Sequence, residues 1–361
     1  MTAPEPRVEL ADVGALACLY RADTGALSIL TPAARAEWLK LCATRDAANM
    51  ELAAAWREQG FVGASAGFPA NVAAPSIRSQ AKSRLDQGYA LGGNRVCRLT
   101  VDAEPLAGLL GAVLRPLAAE CSSEAQTVIA VTESANGAAV SVDGVLCFEG
   151  DSASARSEAL RQILMALVGW NRVGALLHAS TVAGPRGGVA LLGQSGSGKS
   201  TLAATLVADG LAYVADDLSA LDRDTNAIHP FPLGLSVKSG SEAVVAHRFP
   251  RLLEQPELVT RRIRVRYLDL ESHAVSPGSP VPLTALVFPI YDPGTTTLEA
   301  ERLAPETALH LAIESGSVPD GSPRSIHPLA RLCNEVPAWH LAYGDVADAS
   351  AWVRSLSGGT P

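Results

Sequence analysis

Lysine is scarce in this chain. Only Lys40, Lys82, Lys199 and Lys238 occur in 361 residues, so the cationic side chains are overwhelmingly arginine. Positive charge is in deficit overall, with 29 Lys+Arg against 37 Asp+Glu for a net charge of −8, and a nucleic-acid partner is not expected. Cysteine is sparse and scattered: Cys18, Cys42, Cys97, Cys121, Cys147 and Cys333 include no C-x-x-C pair and no Cys/His cluster at zinc spacing. That scatter argues against a disulfide framework or a zinc module and fits buried thiols in a reducing cytoplasm. No apolar run approaches bilayer-spanning length; residues 163–170 are what a buried helix supplies. The opening Met-Thr-Ala-Pro-Glu-Pro lacks the basic and apolar regions of a signal peptide. The expectation is a soluble cytoplasmic protein with no membrane contact, and no internal repeat is visible.

Hydrophobic residues make up 48% of the chain, enough for two or three domains with proper cores. Residues 1–62 read as a small β/helix unit. Strands over 15–20 and 26–30 are joined by the Asp23-Thr24-Gly25 turn, Thr31-Pro32 opens a helix, and a second helix covers 46–59. Residues 63–90, rich at first in Gly, Ala and Pro, read as a linker. Residues 91–174 form an α/β subdomain: strands over 95–101 and 127–132, a helix over 105–120 between them, a hairpin over 138–148 and a long helix over 154–173. Residues 175–361 read as the largest unit, with strands over 175–180, 189–192, 211–215, 235–238, 263–268, 283–289 and 338–343. Helices are expected there over 200–208, 305–315 and 347–356. The fold class is α/β (α+β overall), a mixed sheet flanked by helices.

The most specific signal is Gly193-Gln194-Ser195-Gly196-Ser197-Gly198-Lys199-Ser200, which matches G-x-x-x-x-G-K-[ST] at every fixed position. It follows a short buried strand and opens an apolar helix. Glycines there let backbone N–H groups converge on an anion where the helix N-terminus concentrates partial positive charge. Lys199 can reach β- and γ-phosphates, Ser200 can ligate Mg²⁺, and Thr201 extends the phosphate-binding set. The implied cofactors are ATP and Mg²⁺, with GTP or pyrophosphate left open as the phosphate donor.

Asp216 and Asp217 end the apolar strand that follows the loop helix, so parallel packing would bring them beside the loop. One carboxylate could take the proton of an attacking hydroxyl while the other helps Ser200 hold metal. His178 lies twenty-one residues before Lys199, where it is either catalytic or structural. Lys238 could present a compact charge to a phosphate, or simply end a solvated strand. Arg262, Arg264 and Arg266 share one strand face, fit either to clamp phosphates or to guard an edge.

Together, His178, the loop 193–200 and Val214-Ala215-Asp216-Asp217 resemble the catalytic domain of HPr kinase/phosphorylase, which carries a His-containing strand, a G-x-S-G-x-G-K-S loop and a V-A-D-D strand end in this order. The resemblance covers residues 175–240 well and continues faintly to the C-terminus. It implies a P-loop serine kinase in which Asp216 is the base toward the acceptor hydroxyl, with Asp217 and His178 supporting metal and base. The family's E-x-R-G-x-G segment is missing; Pro230-Phe231-Pro232-Leu233-Gly234-Leu235 stands near its place. The chain is more similar to the HPr-kinase-related kinases of ribosomal (including lasso) peptide biosynthesis. Residues 15–61 are similar to PqqD-like peptide-recognition domains, which bind a leader peptide by strand addition. The implied partner is a peptide or small protein with an acceptor serine. Relatives are often hexameric, which leaves a homo-oligomer open. A small-molecule kinase and a nucleotide-sensing peptide binder are the rival readings.

Overall fold

Alternation along the N-terminal segment is broken by one residue, and it hides a strand. The computed structural model describes residues 8–44, 50–59, 61–62, 83–92, 95–120, 126–259 and 264–358. In it β1 (Val8–Val13), β2 (Leu16–Arg21) and β3 (Ala26–Leu30) form an antiparallel sheet in that order. The sequence pattern shows β2 and β3 but not β1, because the inward face of β1 is Glu9, Ala11 and Val13 and begins with a carboxylate. Glu9 is buried because its Oε2 accepts from the Ser325 hydroxyl at 2.8 Å and from the Ile326 N–H at 3.1 Å. Helix α1 (Pro32–Thr44) starts as expected, Thr31 Oγ1 accepting from the Ala34 N–H at 3.2 Å. With α2 (Met50–Glu58) it closes a small core around Trp38 and Trp56, whose rings meet edge-on at 5.2 Å.

Of the expected linker, residues 63–82 lie outside the described residues, and its end is not a linker. Strand β4 (Leu85–Ala90) enters a six-stranded sheet with β5 (Val96–Val101), β6 (Ala118–Ala119), β7 (Thr127–Ser134), β8 (Gly137–Val142) and β9 (Val145–Gly150), in the order β6-β4-β5-β7-β8-β9. The helix expected over 105–120 stops early, as α3 (Leu106–Val113). Pro116 lacks an N–H and disfavours helical geometry at the residue before it, so a 3₁₀ turn over Arg115–Leu117 follows instead. The long helix expected over 154–173 is α4 (Ser152–Val168), capped by Asp151, which accepts from the Ala153 and Ser154 N–H groups, and ended by Gly169 at φ 111°.

Residues 173–358 build a ten-stranded mixed sheet and a smaller one. The elements are β10 (Val173–Leu177), β11 (Ala179–Gly184), β12 (Gly187–Leu192), α5 (Lys199–Ala208), β13 (Ala212–Ala215), β14 (Ser219–Asp222), β15 (Ala227–His229) and β16 (Leu235–Lys238). There follow α6 (Glu242–Arg248), β17 (Leu258–Val259), β18 (Arg264–Leu268), β19 (Val281–Tyr291), β20 (Glu299–Leu303), α7 (Pro305–Glu314), β21 (Val318–Pro319), α8 (His327–Glu335), β22 (Ala338–Tyr343) and α9 (Val346–Ser357). The large sheet runs β13-β11-β12-β19-β15-β14-β10-β21, with β22 joining β19 to β20; β16, β18 and β17 form the small sheet.

Two details position the site. The strand expected over 175–180 is two strands, broken at His178, where the chain leaves β14 and β21 as neighbours and takes up β12 and β13. Strands β12 and β13 do run in the same direction, but β11 lies between them, antiparallel to both. The carboxyl ends of β12 and β13 and the amino end of β11 therefore meet at one sheet edge. Stretches 91–174 and 173–267 share a single buried cluster that includes Ile129, Leu164, Val173, Phe231 and Tyr267. This is a mixed α/β protein, and among its described residues no helix is long and apolar enough to cross a membrane.

Candidate functional site

The loop between β12 and α5 holds its shape because glycine stands where a side chain would collide. Gly193 has φ 149°, and a Cβ there would lie 2.9 Å from Ser197 Oγ; Gly198 has φ 99°, and a Cβ there would lie 2.6 Å from Tyr343 Oη. Lys199 opens α5 but turns back, its Nζ donating to the Gly193 carbonyl and, at 3.1 Å, to the Gln194 carbonyl. Burial pushes the Lys199 ammonium below its ordinary pKa, while Asp216 and Asp217 pull it up. Gln194, Ser195 and Gly196 form the exposed tip of the loop. Lys238, at the end of β16, reaches across and donates to Ser195 Oγ. Two of the chain's four lysines thus hold the two sides of one loop.

Asp216 faces this loop from just past the end of β13. It is 1% exposed and takes hydrogen bonds from the Ser180 hydroxyl on Oδ1 and from the Ser236 N–H on Oδ2 at 3.0 Å. The Ser200 hydroxyl lies 3.3 Å from Oδ1 and 3.5 Å from Oδ2. Burial, aided by the neighbouring charge of Asp217, pushes the Asp216 carboxyl up to about 7, against the opposing pull of Ser180, Ser236 and Lys199. The Ser200 contact falls on Asp216; among the described residues no hydrogen bond joins Ser200 to Asp217. Asp217 itself sits at φ 63°, a left-handed conformation that costs a non-glycine residue about 1 kcal/mol.

His178 occupies the β10–β11 break beside this couplet. Its Nδ1 lies 3.2 Å from the Asp217 carbonyl, and its backbone N–H donates to Ser317 Oγ at 3.2 Å. A carbonyl oxygen only accepts, so this contact needs the proton on Nδ1 and leaves Nε2 as the ring's acceptor. Burial holds the imidazole below its ordinary pKa, with Lys199 adding to the effect and Asp217 opposing it. The ring is therefore neutral at physiological pH.

Six of the residues singled out by sequence thus converge: His178, Lys199, Ser200, Asp216, Asp217 and Lys238. Thr201 lies in the first turn of α5, half-buried, and its hydroxyl makes no hydrogen bond among the described residues. The arginine face is engaged elsewhere. Arg264 pairs with Glu257 at 3.3 Å and Arg266 with Glu242 at 3.2 Å, while Arg262 lies outside the described residues. Ser180 is not among the residues singled out by sequence; it lies on β11 two residues past the break at His178, where a strand period gives no signal. The Ser236 N–H leaves no signal, since any residue but proline supplies one.

A nucleotide and its metal fit this donor set. The Ser197 hydroxyl is buried within the loop and has no hydrogen-bond partner, a group that an anion oxygen would satisfy. No group of three or more His, Cys, Asp or Glu among the described residues could hold a metal unaided. One hydroxyl beside one or two carboxylates, completed by phosphate and water, is the usual provision for Mg²⁺. No protein-family model matches the chain, and no curated protein matches it.

Proposed function

We propose that this protein is an ATP- and Mg²⁺-dependent kinase of the HPr-kinase-like type, transferring the γ-phosphoryl group to a serine hydroxyl of a peptide or small protein. The observation that carries the reading is the buried Asp216 carboxylate 3.3 Å from the Ser200 hydroxyl, on the sheet edge that also bears the glycine-rich loop. Ser200 and Asp217 would hold Mg²⁺, which when bound offsets phosphate charge. Lys199 and Lys238, with the loop N–H groups, stabilise charge on the transferred group. Asp216 accepts the acceptor hydroxyl's proton, its raised pKa matching a base that works near neutrality. His178, neutral and tied to the Asp217 carbonyl, steadies the strained turn that aims the couplet.

The peptide class of acceptor rests on residues 8–62. Among the described residues strand β3 pairs with β2 alone, so its outer edge offers backbone groups to an added strand. A ribosomal precursor peptide is the acceptor this arrangement suits. The test is incubation with labelled ATP·Mg²⁺ against serine peptides and, in parallel, hydroxylated metabolites. Phosphoserine in a peptide, lost with Lys199→Ala, is the expected result. Transfer to metabolites alone would reassign the acceptor class. ATP binding with no product in either arm would make the protein a nucleotide sensor.

A further inference from the structure

Beside the glycine-rich loop lies a cavity of about 330 Å³ that the roles above do not use. It opens where the chain leaves β19 and β22, and among its lining are Thr295, Thr296, Tyr343, Asp345 and Asp348. Strands β12, β19 and β22 are consecutive parallel neighbours, so the loop and the cavity follow the carboxyl ends of adjacent strands. Ligands of α/β sheets bind outside such ends. Tyr291 joins the two places. Its N–H donates to the Ser197 carbonyl at 3.3 Å, and its ring lies 5.7 Å from that of Tyr343 on the cavity wall. Tyr343 is buried, whereas Tyr291 is 49% exposed, a large aromatic surface left bare beside the loop.

The two compartments differ in charge: both lysines and the aspartate couplet lie at the loop, and carboxylates alone at the cavity. Lys199 and Lys238 border the loop, and the exposed carboxylates Asp345 and Asp348 border the cavity. One Asp345 oxygen caps α9 by accepting from the Ala347 N–H at 2.7 Å, which leaves the other free to accept elsewhere. A phosphate is repelled from the cavity and drawn to the lysines. A neutral group rich in N–H and O–H donors is favoured by the carboxylates and hydroxyls. A nucleotide has this same polarity along its length.

Resting on the nucleotide reading above, we propose that the cavity takes the nucleoside half of a purine nucleotide, with its base on the Tyr291 ring and its ribose or base donors on Asp345 and Asp348. The phosphates then run from Tyr291 into the glycine-rich loop. The cavity volume is within the range that small-ligand sites occupy, and stacking of a base on an aromatic side chain is worth enough to measure.

The test is binding, not turnover. Affinities of wild type and Tyr291→Ala are measured for ATP and for inorganic tripolyphosphate, the latter carrying the phosphates without the nucleoside. The expected result is ATP binding weakened about tenfold in the variant, with tripolyphosphate binding unchanged. Wild-type protein is also photolabelled with an ATP analogue bearing an azide on the adenine, which needs no variant to fold. Label in peptides covering 291–298 or 343–348 supports the subsite. Label confined to other peptides, or ATP affinity unchanged in Tyr291→Ala while tripolyphosphate still competes, overturns the subsite alone. Wild type that binds neither ligand overturns the nucleotide reading and the subsite with it.

Discussion

Two aspartates lie almost wholly out of solvent at opposite parts of the large sheet, and they are kept there in different ways. Asp320, 2% exposed, meets Arg161 in a two-pronged ion pair, with Arg161 Nη2 at 2.7 Å from its Oδ1, and also accepts from the Gly321 N–H at 2.8 Å. Asp216, 1% exposed, has hydroxyls and one backbone N–H around it and no ion pair among the described residues. A buried charge with its own fixed counter-charge belongs to the architecture, here tying α4 to the segment after β21. A buried carboxylate without one is costly to ionise, and a protein keeps such a group where the charge is needed for something else.

The contrast breaks most visibly on substitution. Asp320→Ala leaves the Arg161 guanidinium buried without its main partner and is expected to lose about 3–5 kcal/mol of stability in urea unfolding. Asp216→Asn should do the opposite. The folded-state pKa of Asp216 is raised to about 7, above the ordinary 3.8, so the folded protein binds the extra proton and wild-type stability falls as pH rises between those values. The Asn variant should therefore melt above wild type by at least ~2 °C at pH 8, with the gap shrinking as pH falls below 7. Equal stability across that range would mean that Asp216 titrates as an ordinary carboxylate.

Ser180 sharpens the same comparison. Its hydroxyl favours the ionised form of Asp216, so Ser180→Ala should move the acid limb of the pH–rate profile upward by roughly one unit. An unmoved profile would leave Ser180 a packing residue only. The smallest effect is expected at Asp217→Gly. Glycine relieves the left-handed strain and should stabilise the fold by up to about 1 kcal/mol in thermal unfolding while phosphotransfer falls.

The two aspartates also differ in how far they could be read beforehand. Asp216 stands out in sequence because it ends an apolar strand just after the loop helix. Asp320 does not, since its partner is 159 residues away and Arg161 lies on a helix whose pattern shows only amphipathicity. The same division holds for the fold. Strands with regular apolar faces, such as β12, β19 and β22, are visible in the sequence. Strand β1 is not, because Glu9 is buried by partners more than three hundred residues distant. Strands β14 and β15 are too short to show a period, and only sheet neighbours define them. At the site, local chemistry was legible in the loop, the couplet and His178. The insertion of β11 between β12 and β13, and the approach of Tyr291 and Lys238 to the loop, come from pairing across the sheets, which no local pattern records.

The most direct test of the account is phosphate transfer by Asp216→Asn under conditions where it still binds ATP. With ATP·Mg²⁺ and an acceptor peptide, mass spectrometry should find phosphoserine with wild type and about 10³-fold less with the variant, while ATP affinity stays close to that of wild type. Phosphoserine formed by the variant at the wild-type rate would contradict the central claim that the buried carboxylate facing the glycine-rich loop is the proton acceptor of a phosphotransfer site.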